Sequence, residues 1–472
     1  MAAKSDRTFL GHPLGLYVLF FTEMWERFSY YGMRGLLKLY MVNYLFVSSR
    51  QILQGSDARS PGDPSAVIGW DFIRNLIDTN PDTPVGAYAS VIYGWYTGLV
   101  YLTPLLGGYI ADKYWGQRKT VFIGGILMAI GQFILISDNW FFIGLLLLII
   151  GNGAFKPNIS TQVGNLYPAG DPRRDGAFTI FYMGINLGAF ICNFICGTLA
   201  AVYGWRYGFA AAGVGMLTGL IVYALGQRYL ADDNIMERKA QAALSDKPAV
   251  KEPLNAEEKK RVWALVALCL LNVVFWAVYE QQGNTMQTWA DEKTIWPVIF
   301  GFQVPSTWFQ SFNPFFIFML APFFDMLWRW QAKNGKEPSS VAKMAIGSFI
   351  LGLSFIIMVI GATSIGADKG SFLWPVVCTL MLTVGELYLS PIGLSLVTKV
   401  SPIRIVSMMM GMWFLSSFVG NILSGYVGLL YEKQILSSAE FFWLLTALGI
   451  ITGIAMFAFK GPLKKAMGSQ HS

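Results

Sequence analysis

Histidine is nearly absent from this chain. Of 472 residues only His12 and His471 are histidines, and both lie near the chain ends. A proton carried through the interior therefore has to use carboxylates, and an HExxH metal site is excluded. Cysteine is scarce too. Cys192, Cys196, Cys269 and Cys378 all fall in apolar runs with no CxxC spacing, which argues against both a zinc site and a disulfide framework. Cys192 and Cys196 are one helical turn apart and read as packing residues. No nucleophile–base pair or metal-ligand set stands out, so neither an enzyme, a metal nor a cofactor is expected. Charge is the third scarcity: charged residues make up 13% against 54% hydrophobic, with a mean hydropathy of +0.47. That is too apolar for a soluble domain of this length.

What is present is a series of long apolar runs. Twelve spans are expected, near 14–45, 86–110, 119–137, 140–165, 175–201, 208–230, 262–289, 310–328, 341–362, 372–398, 405–431 and 438–460. A bilayer needs about 20 apolar residues per helix. Met1–His12 is short and polar and the first run is too long for a signal h-region, so no cleavable signal is expected. Of 35 Lys and Arg, 24 fall in the termini and even-numbered loops, 7 in the odd-numbered loops and 4 within spans. The positive-inside rule then puts both termini in the cytoplasm. It also accounts for the net charge of +7 without a nucleic-acid partner. The reading is an all-α polytopic membrane protein with a six-helix lobe over 1–230, a cytoplasmic linker over 231–261 without extra helices, and a second six-helix lobe over 262–472. The outer loop 47–85 carries a short helix near Trp70–Ile77. Two such lobes are the layout of secondary transporters.

The first span contains Glu23-Met24-Trp25-Glu26-Arg27-Phe28-Ser29-Tyr30-Tyr31-Gly32-Met33-Arg34. Positions 23, 27, 30 and 34 share one helical face, flanked by Glu26 and Tyr31. Each charge near a bilayer centre costs roughly 2.5–3.5 kcal/mol on insertion scales. These groups therefore need partners and water. On this helix alone, a structural ion-pair network and a substrate or proton path are both open readings.

Other polar groups interrupt the apolar runs. Lys156 precedes Pro157 in Ile150-Gly151-Asn152-Gly153-Ala154-Phe155-Lys156-Pro157-Asn158, a sequence poorly suited to a helix interior, and it needs a carboxylate, with Glu23 or Glu26 as candidates. Gly184 and Gly188 form a small-xxx-small packing pair, and Asn186 between them reads as interhelical glue. Glu280 lies in the seventh span, Asn313 at a helix break opening the eighth, and Glu386 before Ser390-Pro391 in the tenth. The first lobe thus supplies three deep cations and two acids, the second two acids. A zwitterion with separated ends fits that field, its carboxylate toward the first lobe and its amine toward the second.

Five stretches in order resemble the proton-coupled oligopeptide transporter family of the major facilitator superfamily. They are Glu23-x-x-Glu26-Arg27 with Tyr30-Tyr31-Gly32; Gly107-Gly108-x-x-Ala111-Asp112-x-x-x-Gly116-x-Arg118; Phe181-Tyr182-x-x-Ile185-Asn186-x-Gly188; Phe275-Trp276-Ala277-x-x-Glu280-Gln281; and Gly385-Glu386-Leu387 with Ser390-Pro391. The resemblance implies a proton-driven symporter of di- and tripeptides working by alternating access. It implies that Arg34 and Lys156 bind the peptide carboxylate, and that Glu386, with Asn186 and Asn313, binds the amino end. Tyr30, Tyr31, Tyr101, Trp276, Ser390, Trp413 and Phe414 would line the pocket. Glu23, Glu26, Arg27, Lys156 and Glu280 would couple protons, with Arg34 and Glu280 a candidate pair across the lobes, and Asp112 with Arg118 an inner gate. The implied setting is the plasma (inner) membrane, with peptide, protons and lipid as partners and a functional monomer. Two departures stand out. The linker is too short for the two additional helices usual in bacterial members, and Gly188-Ala189-Phe190 replaces the usual Gly-Ser-Leu. Transport of nitrate or of a drug-like compound on the same fold is the alternative. Glu386 discriminates, because those solutes give an amine-binding acid no evident use.

Overall fold

A computed structural model describes residues 8–47, 64–80, 82–168, 171–233, 254–402, 405–459 and 461. Residues 48–63 and 81 of the outer loop, residues 234–253 of the linker, and His471 lie outside the described residues.

The chain is helical almost throughout. In order the α-helices are α1 Leu14–Tyr40, α2 Trp70–Ile77, α3 Val85–Ile110, α4 Gln117–Ile134, α5 Phe141–Asn165, α6 Arg173–Tyr203, α7 Trp205–Gly226, α8 Ala256–Tyr279, α9 Thr285–Glu292, α10 Phe312–Lys333, α11 Ser340–Ile365, α12 Leu373–Val400, α13 Val406–Glu432 and α14 Ser438–Ala458. All but α2 and α9 are long, and they occupy the twelve expected spans. The expected short helix forms as α2. Among the described residues, nine helical stretches are long and apolar enough to cross a membrane by length and composition. The long helices outside that set have visible reasons. α1 carries Glu23, Glu26, Arg27, Arg34 and Lys38, α3 is rich in Tyr and Gly, and α4 opens on Gln117-Arg118-Lys119.

The helices gather into two compact units, one of Met1–Leu76 with Leu99–Lys251 and one of Ile77–Gly98 with Glu252–Ser472. In the first, α1 packs on α6 and α7, and α4 on α5 and α7. The α1–α6 contact is close because α6 presents glycine: a Cβ on Gly188 would lie 2.1 Å from the Met24 carbonyl oxygen. Cys192 and Cys196 lie buried on the same side, against Gly32, as packing residues. At the chain start, β1 (Thr8–Phe9) and β2 (His12–Pro13) form a small hairpin. His12 Nδ1 lies 2.8 Å from the Tyr167 hydroxyl, and Arg173 donates to the Gly11 carbonyl at 3.0 Å. The same guanidinium and the Arg173 backbone N–H hold the Asp171 carboxyl down at about 2.

In the second unit α11 packs on α12 and α14, α8 on α13, and α10 on α12. Its helices start on explicit caps. Asn255 and Glu258 form a reciprocal capping box on α8, as do Ser437 and Glu440 on α14, and Ser339 caps α11. Its apolar core includes Trp276, Trp289, Phe355, Trp413 and Phe442. Asp78, before α3, accepts from Lys433 just past α13 and from Thr83 and the Asn80 N–H. These bonds hold its carboxyl well below the usual range.

Candidate functional site

The first unit buries its charges around one guanidinium. On α1, Arg27 is 2% exposed, Glu23 1% and Glu26 0%. Arg27 grips Glu26 with two parallel bonds, Nη2 reaching Oε1 at 2.7 Å, and its Nε lies 3.3 Å from Glu23 Oε1. The spacing explains this: Glu23 is one helical turn below Arg27, and Glu26 is its neighbour in sequence. The guanidinium also sits over the rings of Tyr30 and Tyr31, at 5.0 and 5.8 Å. Glu23 Oε2 is buried with no hydrogen-bond partner. An acid half-satisfied in this way is a natural proton acceptor or a place for a second cation.

The expected ion pair between Lys156 and Glu23 or Glu26 is corrected by this geometry. Arg27 takes both carboxylates. Lys156 Nζ lies 5.2 Å from the centre of the Tyr101 ring, within electrostatic range of both acids. α5 also runs unbroken through Pro157, against the expectation from its sequence. The missing N–H at 157 leaves the Gly153 carbonyl without its ladder partner. That oxygen faces α3 where it has no side chain, since a Cβ on Gly107 would come within 1.9 Å of it. Asn158 stitches the same place, donating to the Ala154 and Gly107 carbonyls at 2.7 and 3.3 Å. Asn186 is buried, but its amide donates to Tyr182 O of its own helix at 2.9 Å, so the interhelical reading is corrected. Arg34 is partly buried on α1.

The second unit holds a different cluster. Glu386 of α12 accepts from the Tyr279 hydroxyl at 2.6 Å and from Asn313 Nδ2 at 3.1 Å. The same Asn313 amide lies 3.0 Å from both the Tyr279 hydroxyl and Thr383 Oγ1. Thus α8, α10 and α12 converge on one carboxylate. Glu280 is buried in the tight turn Glu280–Gln282 that ends α8. Trp276 and Trp413 are core residues of this unit, Ser390 is half-buried and Phe414 exposed.

At the end of α3, Asp112 lies in a π-helical turn, Ala111–Trp115, closed by Gly116 at φ 78°. Arg118 donates to the side chain and backbone of Gln227 at 2.6 and 2.7 Å and pairs with Asp232 at 3.1 Å. Asp233 accepts from the Gln117 and Arg118 N–H groups at 3.0 and 2.7 Å, capping α4.

Sequence reasoning missed Tyr279, Thr383, Gln227, Asp232 and Asp233. Thr383 stands three residues before Glu386, on the same helical face, and that spacing was a usable signal. The two aspartates gave none, since they look like any other linker charges.

A family model described as the POT family matches residues 118–245 and 233–444. The chain is 34% identical over 516 residues to an uncharacterized transporter, YclF, of Bacillus subtilis (strain 168), covering 98% of this chain and 96% of that one. It is 32% identical over 523 residues to a di-/tripeptide transporter of Lactococcus lactis subsp. cremoris, with 98% of each covered. Among solved structures it superimposes on a peptide transporter POT in complex with sulfate at a TM-score of 0.81, with 30% identity, covering 98% of this chain and 97% of that one. A mutant of a peptide transporter POT in complex with alafosfalin gives 0.80, with 30% identity and 98% of each chain covered.

Proposed function

We propose, from the premise that the chain belongs to the POT family, that it is a proton-coupled symporter importing di- and tripeptides by alternating access. Membership makes it a multi-pass membrane transporter of the two-lobed helical fold and not an enzyme. The observation that carries the substrate reading is the Glu386 carboxylate, presented by the neutral donors Tyr279 and Asn313. A carboxylate is a partner for an ammonium, and a peptide's amino end supplies one. Arg34 and Lys156 are the matching cations for the peptide carboxylate. Tyr30, Tyr31, Tyr101, Asn186, Trp276, Ser390, Trp413 and Phe414 provide side-chain-tolerant walls.

Glu23, Glu26, Arg27, Lys156 and Glu280 are the coupling groups. An acid that exchanges a cationic partner for a proton links proton uptake to a change of state. Asp112 and Arg118 serve the inner gate. The setting is the cytoplasmic membrane, with both termini inside and the monomer as working unit.

The test is uptake of labelled dialanine into sealed proteoliposomes under an imposed inward proton gradient. Accumulation that a protonophore collapses supports the reading, and absence of accumulation rejects it in favour of another solute such as nitrate or a drug-like compound. Glu280→Gln is expected to lose driven uptake while keeping counterflow exchange. Full driven uptake in that variant removes Glu280 from the coupling set.

A further inference from the structure

The segment between α9 and α10 carries a feature outside the clusters described above. β4 (Val298–Ile299) and β5 (Phe302–Gln303) pair antiparallel around a two-residue turn, Phe300-Gly301. Both turn residues have positive φ, 50° and 80°. Such a turn favours Asn-Gly or Asp-Gly, because a bulky side chain in the left-handed region is strained. Here its first position is phenylalanine, fully exposed at 105%, with Val298 at 61% and Ile299 at 46% beside it. In water this tip would combine backbone strain with an exposed apolar cluster.

The hairpin base is fixed. β3 (Thr294–Ile295) pairs parallel with β6 (Gly370–Ser371), immediately before α12. Trp296 is buried, donating to the Ala290 carbonyl at 2.8 Å with its ring against Phe372. Gln303 donates to the Trp296 carbonyl at 2.9 Å, and Val304 N–H to the Pro297 carbonyl at 3.1 Å. The tip therefore projects from a rigid collar at which membrane-spanning helices begin. No Asp, Glu, Lys, Arg or His occurs from Thr294 to Phe324. Exposed apolar residues also stand on the helices that follow each side of the collar: Leu373 at the start of α12, and Phe315, Phe318 and Met319 on α10. Polar residues at the collar lie on the neighbouring loop, at Asp368 and Lys369.

We infer that the 298–303 hairpin is an interfacial anchor whose Val298–Ile299–Phe300 tip inserts into the headgroup–acyl boundary of the bilayer beside α10. Three observations select lipid as the occupant: the absence of charge from Thr294 to Phe324, the exposed apolar residues on the membrane-spanning α10 that follows, and the reach. Three residues of strand span roughly 10 Å, and interfacial apolar elements bury about 5–10 Å into that boundary.

The test is spin labelling of the full chain in vesicles of phosphatidylcholine and phosphatidylglycerol. The four native cysteines are buried, so the label goes to an introduced one. Labels at Phe300→Cys and, should that turn fail to fold, Val298→Cys are compared with Phe318→Cys on α10 and Asp368→Cys on the polar loop. The expected result is an oxygen-to-nickel-chelate accessibility ratio near that of the 318 label and several-fold above that of the 368 label. A hairpin label as open to the nickel chelate as the 368 label overturns the proposal. So does protection accompanied by spin–spin broadening that disappears on dilution with unlabelled protein, which assigns the tip to a second copy of the chain.

Discussion

The two units hold their acids in different ways: Glu23 and Glu26 are buried, Glu386 only half-buried. In the first, Glu23 and Glu26 are met by a permanent cation, Arg27, fixed on the same helix. In the second, Glu386 is met by a phenol and an amide brought from two other helices. An Arg–carboxylate grip is strong, and its guanidinium remains charged at any accessible pH. Neutral donors orient a carboxylate without cancelling its charge. The first arrangement ties two acids to one cation on their own helix; the second gathers side chains of three helices at one carboxylate.

That contrast can be broken most severely at Arg27. Arg27→Met leaves two buried acids without their cation, and breaking a buried ion pair costs about 3–5 kcal/mol. The expected outcome is loss of gradient-driven dialanine uptake to background together with a large fall in melting temperature in detergent. Retained uptake would mean that Arg27 does not organise the first unit.

Glu386→Gln probes the second unit with a smaller expected loss. A hydrogen bond to a charged group contributes about 1.5–3 kcal/mol, roughly 10- to 150-fold in affinity. Binding of free-amine dipeptides should weaken by that order, and amine-blocked peptides should be little affected, as read by competition against labelled substrate. Equal weakening of both would show that Glu386 is structural. Tyr279→Phe removes one hydrogen bond that orients Glu386 and leaves the carboxylate itself in place. Its affinity loss should thus be several-fold, and smaller than that of Glu386→Gln.

The mildest test lies at the surface of the second unit. Lys433 and the local donors keep Asp78 ionised more readily in the folded chain than in the unfolded one. Its stabilising contribution is therefore present above the ordinary carboxylate value of about 3.9 and is lost as pH falls through the lower folded-state value. Asp78→Asn should lower the melting temperature slightly at pH 7, and the difference from the native chain should shrink as the pH drops below about 4.

Much of this was legible from residue order. Hydropathy marked the long helices because a bilayer demands length and apolar composition together. α1 was recoverable despite its charges because Glu23, Arg27, Tyr30 and Arg34 recur at helical spacing. Contacts between helices were less accessible. Periodicity says that Thr383 and Glu386 share a face, but nothing local says that Tyr279 and Asn313 meet them there. Lys156 was assigned to an acid because a buried ammonium needs compensation; the sequence could not reveal that Arg27, closer along the chain, takes both acids first. Asp233 caps α4 from more than a hundred residues away, and its neighbours give no sign of it.

The contact at Gly153 has a mechanical consequence. Bending an α-helix ordinarily stretches the bonds on its outer side, but at residue 157 that bond does not exist, so flexing α5 there stretches one bond fewer. The opposing surface of α3 at Gly107 is bare backbone, with no side chain to act as a wedge. At residue 157 α5 therefore leans on the α3 backbone and on the Asn158 amide in place of its own ladder bond, immediately beside Lys156.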